Sequence, residues 1–192
     1  MRPGGTLLLA LALAWPLQPL DDVVRDWVRS HQHPGAHSAM RFVSRHSRTA
    51  LIAGTVVGLL AGPAGRACVL EGLAALVPVN LAVEGLKWTV NRTRPGGDTS
   101  RRNSSFPSSH AANAFAAAAV IVRRFARRGR AGLVVAVPVW LAAATVAFSR
   151  MYLDRHWLSD CLGSALLAWG GAWIAARLMR RLERGRTAAP SA

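Results

Sequence analysis

The sequence predicts an all-α protein, an integral-membrane bundle of about six transmembrane helices. Three observations carry this. The chain of 192 residues is 52% hydrophobic and only 17% charged, where about 25% charged is usual for soluble domains. Its mean hydropathy is +0.23. Its apolar residues gather into runs of 14 to 20 residues parted by short polar segments, near the ~20 needed to cross a bilayer. A disordered chain is excluded, because disorder needs low hydrophobicity. The length is that of one domain, residues 1–192, with its motif-bearing core at about 50–180.

The runs follow in order. Thr6 to Leu20 is apolar but short, and it reads as a first membrane helix. A signal peptide fits less well, because Pro16, Gln18 and Pro19 stand where a small-x-small cleavage site would be. Residues 21–48 read as an outer loop, within which Val24, Trp27 and Val28 fall at the spacing of an amphipathic interfacial helix. His31, His33 and His37 lie here at irregular spacing, broken by Pro34 and Gly35, which favours a solvated loop over a metal site. Thr49–Gly62 and Ala67–Leu86 are two spans joined by a Gly-Pro-Ala-Gly turn. Ser109–Val122, Ala131–Phe148 and Cys161–Leu178 complete the set. Small residues dominate these runs, which suits close packing in lipid. Residues 187–192 read as a disordered tail.

Net charge is +15, with 24 Lys and Arg against nine Asp and Glu. Such a balance calls for anionic partners. Two dense clusters, Arg123–Arg130 and Arg177–Arg186, carry five Arg each and fall on one side of a six-helix topology. The total is even, 12 cations on each side, so density in short segments makes the clustered side cytoplasmic. Flanking apolar spans accounts for these arginines without nucleic acid. Cys68 and Cys161 read as small buried hydrophobes, with no metal spacing around them.

Three polar segments meet at the outer face of this topology. In the first, Lys87 is the only Lys of the chain, and Arg94 follows it by seven residues. On a helix that is two turns, which makes one cationic face ended by Pro95. The competing reading is a snorkelling Lys paired to Glu84 and an interfacial Arg. The second, Phe106-Pro107-Ser108-Ser109-His110, opens a helix whose free N–H groups favour anions. An N-cap Ser with an incidental His competes with this. In the third, Ser149-Arg150 precedes His156 and Asp160, an i,i+4 pair. A carboxylate on one imidazole nitrogen fixes the tautomer and raises the basicity of the other, which makes a nucleophile or base. A structural His–Asp pair is the alternative.

Together and in this order the segments resemble the type 2 phosphatidic-acid phosphatase family, whose pattern is K-x6-R-P, P-S-G-H and S-R-x5-H-x3-D. Here it reads Lys87…Arg94-Pro95, Pro107-Ser108-Ser109-His110 and Ser149-Arg150…His156…Asp160, with Ser109 in place of Gly. The resemblance implies a phosphatase that works without metal or other cofactor, through a phosphohistidine. It implies that His156 attacks phosphorus, Asp160 orients it, and His110 protonates the leaving oxygen and then activates water. It implies that Lys87, Arg94, Arg150, Ser108 and the backbone near Ser109 hold the phosphoryl oxygens. The implied partner is a membrane lipid phosphate, such as undecaprenyl diphosphate or phosphatidic acid, met at the outer face of the cytoplasmic membrane. The alternatives are a soluble phosphate ester, a vanadium-dependent haloperoxidase with a similar site, and a non-catalytic protein that binds anionic lipid. The residues specify no oligomeric state.

Overall fold

The computed structural model describes residues 17–98, 103–125 and 130–187. Among them are six helices: α1 (Gln18–Ser30), α2 (Pro34–Leu60), α3 (Gly62–Val90), α4 (Ser109–Phe125), α5 (Arg130–Tyr152) and α6 (Leu158–Thr187). No strand occurs among the described residues. The protein is an all-α membrane bundle.

Three of these helices are long and apolar enough to cross a membrane: Gly62–Val90, Gly132–Tyr152 and Leu158–Leu182. The sequence expectation was about six spans. Residues 6–16 of the first expected span and residues 188–192 of the tail lie outside the described residues. α4 has only 17 residues, and α2 carries Arg41, Arg45 and Arg48 before its apolar stretch.

Residues 21–48 differ most from expectation, since helix replaces nearly all of the outer loop. Pro34 starts α2 instead of breaking it, because in the first turn its missing N–H is not needed. α1 is amphipathic, but Asp21, Val24, Arg25 and Val28 turn toward the bundle, and Trp27 is exposed. The expected turn after α2 shrinks to Ala61, with Gly62 at φ +78° reversing the chain. α3 ends on Asn91 in the left-handed conformation, φ 44° and ψ 49°, and not at Pro95. Asn tolerates that conformation because its short polar side chain bonds locally. Lys87 and Arg94 are therefore not two turns apart on one helix.

The core lies among α3, α4 and α6. Val79, Val83 and Leu86 of α3 meet Ala112 and Ala116 of α4, Leu167 and Ala168 of α6, and Phe106. Gly171 of α6 sits so close to α3 that a Cβ there would meet the Ala75 carbonyl oxygen at 2.9 Å. Such approach gives helices the van der Waals contact that holds them together in lipid. α5 packs on α4, and α2 packs on α3 and α5. Ile52, Val56 and Val57 of α2, Leu73 and Val77 of α3, and Val134 and Leu141 of α5 are exposed. An apolar surface of this extent suits a bilayer. Glu71 of α3 pairs with Arg123 and Arg124 of α4, so two residues of the first arginine cluster lock helices together as well as marking a membrane side.

Candidate active site

The end of α3, the start of α4 and the α5–α6 turn come together at one end of the bundle. His156 lies in that turn. Asp154 holds φ 52°, and the N–H groups of Arg155 and His156 return to the Arg150 carbonyl at 3.0 and 3.3 Å. The turn folds the chain back and drives the imidazole inward, where it is 3% exposed.

His156 Nδ1 lies 2.7 Å from the Ser105 carbonyl oxygen. A carbonyl only accepts, so Nδ1 carries the proton and Nε2 keeps its lone pair. Burial pushes the His156 pKa below 6.5, against the opposing pull of Asp160. Asp160 Oδ2 is 3.5 Å from the same nitrogen. The carboxylate thus stands behind the ring, as the sequence indicates, but the backbone carbonyl is the nearer acceptor. The reason is that Oδ2 also accepts from the Trp157 N–H at 2.8 Å and from the Ser105 hydroxyl. Trp157 precedes the first residue of α6 and Asp160 is its third, so this is the reciprocal half of a capping box.

The cations gather around the two histidines. The charges acting on His110 come from Arg150, Arg48, His156 and Lys87. Those acting on His156 include Asp160, Arg150 and Arg94. Lys87 pairs with Glu84 at 3.0 Å, as the competing sequence reading had it, and its charge still acts on His110. Arg94 reaches in from the loop after α3, with its Nε donating to the Asn103 carbonyl at 2.8 Å. Burial lowers its pKa below the ordinary guanidinium value, Asp98 opposes this, and neighbouring Arg155 adds to it. Arg150 donates from Nη1 to the Ser44 hydroxyl, and its buried Nε has no hydrogen-bond partner. A buried unpaired donor costs about 1–3 kcal/mol, so this one asks for an acceptor.

Ser108 and Ser109 open α4. The Ser108 N–H donates to Ser164 Oγ at 2.9 Å, and its hydroxyl accepts from the Ala111 N–H at 3.5 Å. Ser108 therefore caps α4 and ties it to α6, and its own N–H is already used. Among the described residues the non-glycine residues at positive φ are Asn91 and Asp154. Ser109 is not among them, so its backbone needs no glycine. A groove of about 270 Å³ leads from His110 between α2, α4 and α5. Leu51, Ala114, Ala117, Ile121, Val139 and Ala142 line its apolar length.

Sequence reasoning missed Arg48, Arg92, Ser105 and Asp21. Arg92 falls inside the spacer between Lys87 and Arg94, one arginine among 23. Asp21 lies far upstream, on a helix whose buried face was misjudged. Ser105 offered one usable signal, its place in the dense polar run before Pro107.

The arrangement can bind a tetrahedral anion among cations and helix N–H groups, beside a neutral imidazole with a free nitrogen. The chain is 32% identical over 105 residues to a lipid A 4'-phosphatase of Bacteroides thetaiotaomicron, covering 53% of this chain and 42% of that protein. The chain thus spans less than half the length of that curated relative. Its fold is similar to the crystal structure of a transmembrane PAP2-type phosphatidylglycerolphosphate phosphatase from Bacillus subtilis, with a TM-score of 0.74 at 21% identity over 94% of this chain and 96% of the other. It is also similar to Aquifex aeolicus LpxE, with a TM-score of 0.68 at 19% identity over 82% of this chain and 95% of the other. Residues 66–184, more than half of the chain, match the PAP2 superfamily, and the chain belongs to that family.

Proposed function

We propose that this protein is a membrane lipid phosphatase that works through a phosphohistidine, without a metal ion. One observation carries the reading: His156 has its Nδ1 proton held by the Ser105 carbonyl, which leaves the Nε2 lone pair available, beside Arg94, Arg150 and His110. The unpaired Nε of Arg150 supports a phosphoryl oxygen there. Phosphoryl transfer needs positioning and charge neutralisation above all, and cations with helix N–H groups supply both.

The steps balance as follows. Nε2 of His156 forms an N–P bond as the P–O bond to the lipid breaks. The phosphate dianion offsets Arg150, Arg48 and Lys87 and so lets His110 be protonated, and His110 gives that proton to the leaving oxygen. Water then loses a proton to His110 and attacks phosphorus, the N–P bond breaks, and phosphate and neutral His156 are released. Lys87, Arg94, Arg150 and the first-turn N–H groups of Ser109 and His110 hold the oxygens throughout. With a diphosphate, the leaving group is the lipid monophosphate.

The apolar groove supports a lipid over a soluble ester, because an acyl or isoprenoid tail can lie in it while the phosphate stays at His110. Its volume, about 270 Å³, is near the lower end for ligand pockets, about 300 Å³. The names of the two relatives that state a substrate also point to lipid phosphates. The site stands at the opposite end of α4 and α6 from their arginine-rich ends, which supports an outer-face site by the positive-inside rule.

The test is phosphate release by purified protein from phosphatidic acid, phosphatidylglycerol phosphate, undecaprenyl diphosphate and a soluble phosphate ester, in EDTA, beside His156→Ala. Release from a lipid that vanishes in the variant and under vanadate is the expected result. Preference for the soluble ester, or EDTA inhibition reversed by Mg²⁺, would overturn it.

A further inference from the structure

Behind the His156–Asp160 pair lies a buried chain of charges that the catalytic steps do not use. Arg92 is 7% exposed and extends between two carboxylates, Asp160 and Asp21, which are 0% and 1% exposed. Its Nη1 donates to Asp160 Oδ1 at 2.8 Å and to Ser159 Oγ at 2.6 Å. Its Nη2 donates to Asp21 Oδ2 at 2.6 Å and to Gln18 Oε1 at 2.7 Å. Asp21 in turn accepts from the Ser159 N–H at 2.8 Å and the Ser159 hydroxyl at 2.6 Å. The first turn of α6 is thus capped from two sides, by its own Asp160 and by Asp21 of α1.

This geometry is specific to a guanidinium. Its planar fork serves two acceptors at once, which a Lys ammonium on a flexible stem does not reproduce. The Trp157 ring completes the enclosure, with the guanidinium carbons of Arg25 and Arg92 at 5.3 and 5.5 Å from its centroid. α1 is further fastened by Arg25 and Arg29, which pair with Asp154 at 3.2 and 3.0 Å. Gln18 and Asp21 both precede the family-matched residues 66–184.

We propose that Arg92, clamped between Asp160 and Asp21, is the positioning residue that sets the carboxylate behind His156, and that α1 is thereby part of the active site. Two physical consequences follow. Asp160 cannot swing toward His156 while Arg92 holds its other oxygen. The charges that act on His156 are Asp160 on one side and Arg150 and Arg94 on the other, and Asp160 is itself tied through Arg92 to Asp21. Removing the Arg92 charge leaves the carboxylates unopposed and favours protonated His156. Removing the Asp21 charge leaves Arg92 unopposed and disfavours it. A purely structural clamp predicts no such opposite signs.

The kinetic arm rests on the phosphatase reading, and the spectroscopic arm does not. Asp21→Asn, Arg92→Gln and Arg92→Lys are made in the full chain. Each is assayed for lipid-phosphate turnover, and His156 is titrated by ¹⁵N NMR of histidine-labelled protein in detergent. The expected result is a kcat lower by about 10–100-fold in all three, the range for groups that orient a functional ligand, with KM nearly unchanged. The His156 titration is expected to move to higher pH in Arg92→Gln, to lower pH in Asp21→Asn, and little in Arg92→Lys. Arg92→Lys keeps the charge, so it serves if Arg92→Gln does not fold. Wild-type kcat in Asp21→Asn and Arg92→Lys, or His156 shifts of the same sign in the two charge-removing variants, would overturn the proposal. Opposite shifts in the two variants, with a wild-type protein that hydrolyses no lipid phosphate, would support the charge chain and refute the phosphatase reading instead.

Discussion

Arg150 stands between a helix and an anion site. Its Nη1 is held by Ser44 of α2, and its buried Nε is unpaired, so a bound phosphoryl oxygen would complete its hydrogen bonding. Arg150→Ala is expected to lower kcat/KM by about 10²–10³, the usual effect of removing one such electrostatic donor. His156→Ala is expected to cost more, since it removes the nucleophile; comparable losses in the two variants would argue against that role. The pH dependence follows from His156. Burial sets its pKa below 6.5, and protonation occupies the lone pair on Nε2. The kcat/KM profile should therefore fall on the acid side of 6.5. Stability has the same sign: a His held neutral in the folded state adds stability above its unfolded pKa of about 6.5 and loses it as pH falls from there. A flat acid limb to pH 5 in a stable protein would count against His156. At this scale the sequence was informative because chemistry needs rare residue types. His110, His156 and the only Lys stand out from an Ala- and Arg-rich chain. Arg92 and Ser105 do not, since what distinguishes them is burial and partners. Ser108 was legible by type, whereas the use of its N–H on Ser164 was not.

Helices were legible where composition has to match lipid. The runs behind α3, α5 and α6 mark their positions, and small residues in them predict close packing. Gly171 shows the cost of that closeness, because any side chain there meets the α3 backbone at Ala75. Gly171→Leu is expected to destabilise the fold by about 1–3 kcal/mol, the range for overpacking, read as a lower thermal midpoint in detergent. An unchanged midpoint would mean that α3 and α6 are not in contact there. The helix ends were less legible. Pro95 was expected to stop α3, and Asn91 does so first, because a left-handed Asn satisfies the last turn before the proline is reached. Pro34, which interrupts the histidine tract in the sequence, begins α2. α1 was placed on the membrane by its apolar spacing, yet its buried face carries Asp21 and Arg25. A charge partnered across 71 residues, as Asp21 is with Arg92, has no local signal in the sequence.

At the scale of the whole molecule, the helices place the two histidines at one end and the arginine-rich ends of α4 and α6 at the other. If the positive-inside rule orients the bundle, α1 and the site face outward. Trp27 on α1 is exposed. A Trp27→Cys variant with Cys68 and Cys161 replaced should react with a membrane-impermeant maleimide on intact cells. Reaction only after permeabilisation would invert the topology. Fold class was legible because 52% hydrophobic content leaves few alternatives to a membrane bundle. The span count was less so, because α4 is short and α2 is charged over half its length. The site emerged from three segments far apart in sequence, and their common location could be inferred only from the alternation of spans. The central claim is that phosphorus passes through His156. The most direct measurement is a rapid quench of purified protein with ³²P-labelled lipid phosphate in EDTA, followed by mapping of the label. The account predicts an acid-labile, alkali-stable phosphoryl group on His156, absent from His156→Ala. Label on another residue, or wild-type turnover with no labelled protein at any time point, would contradict it.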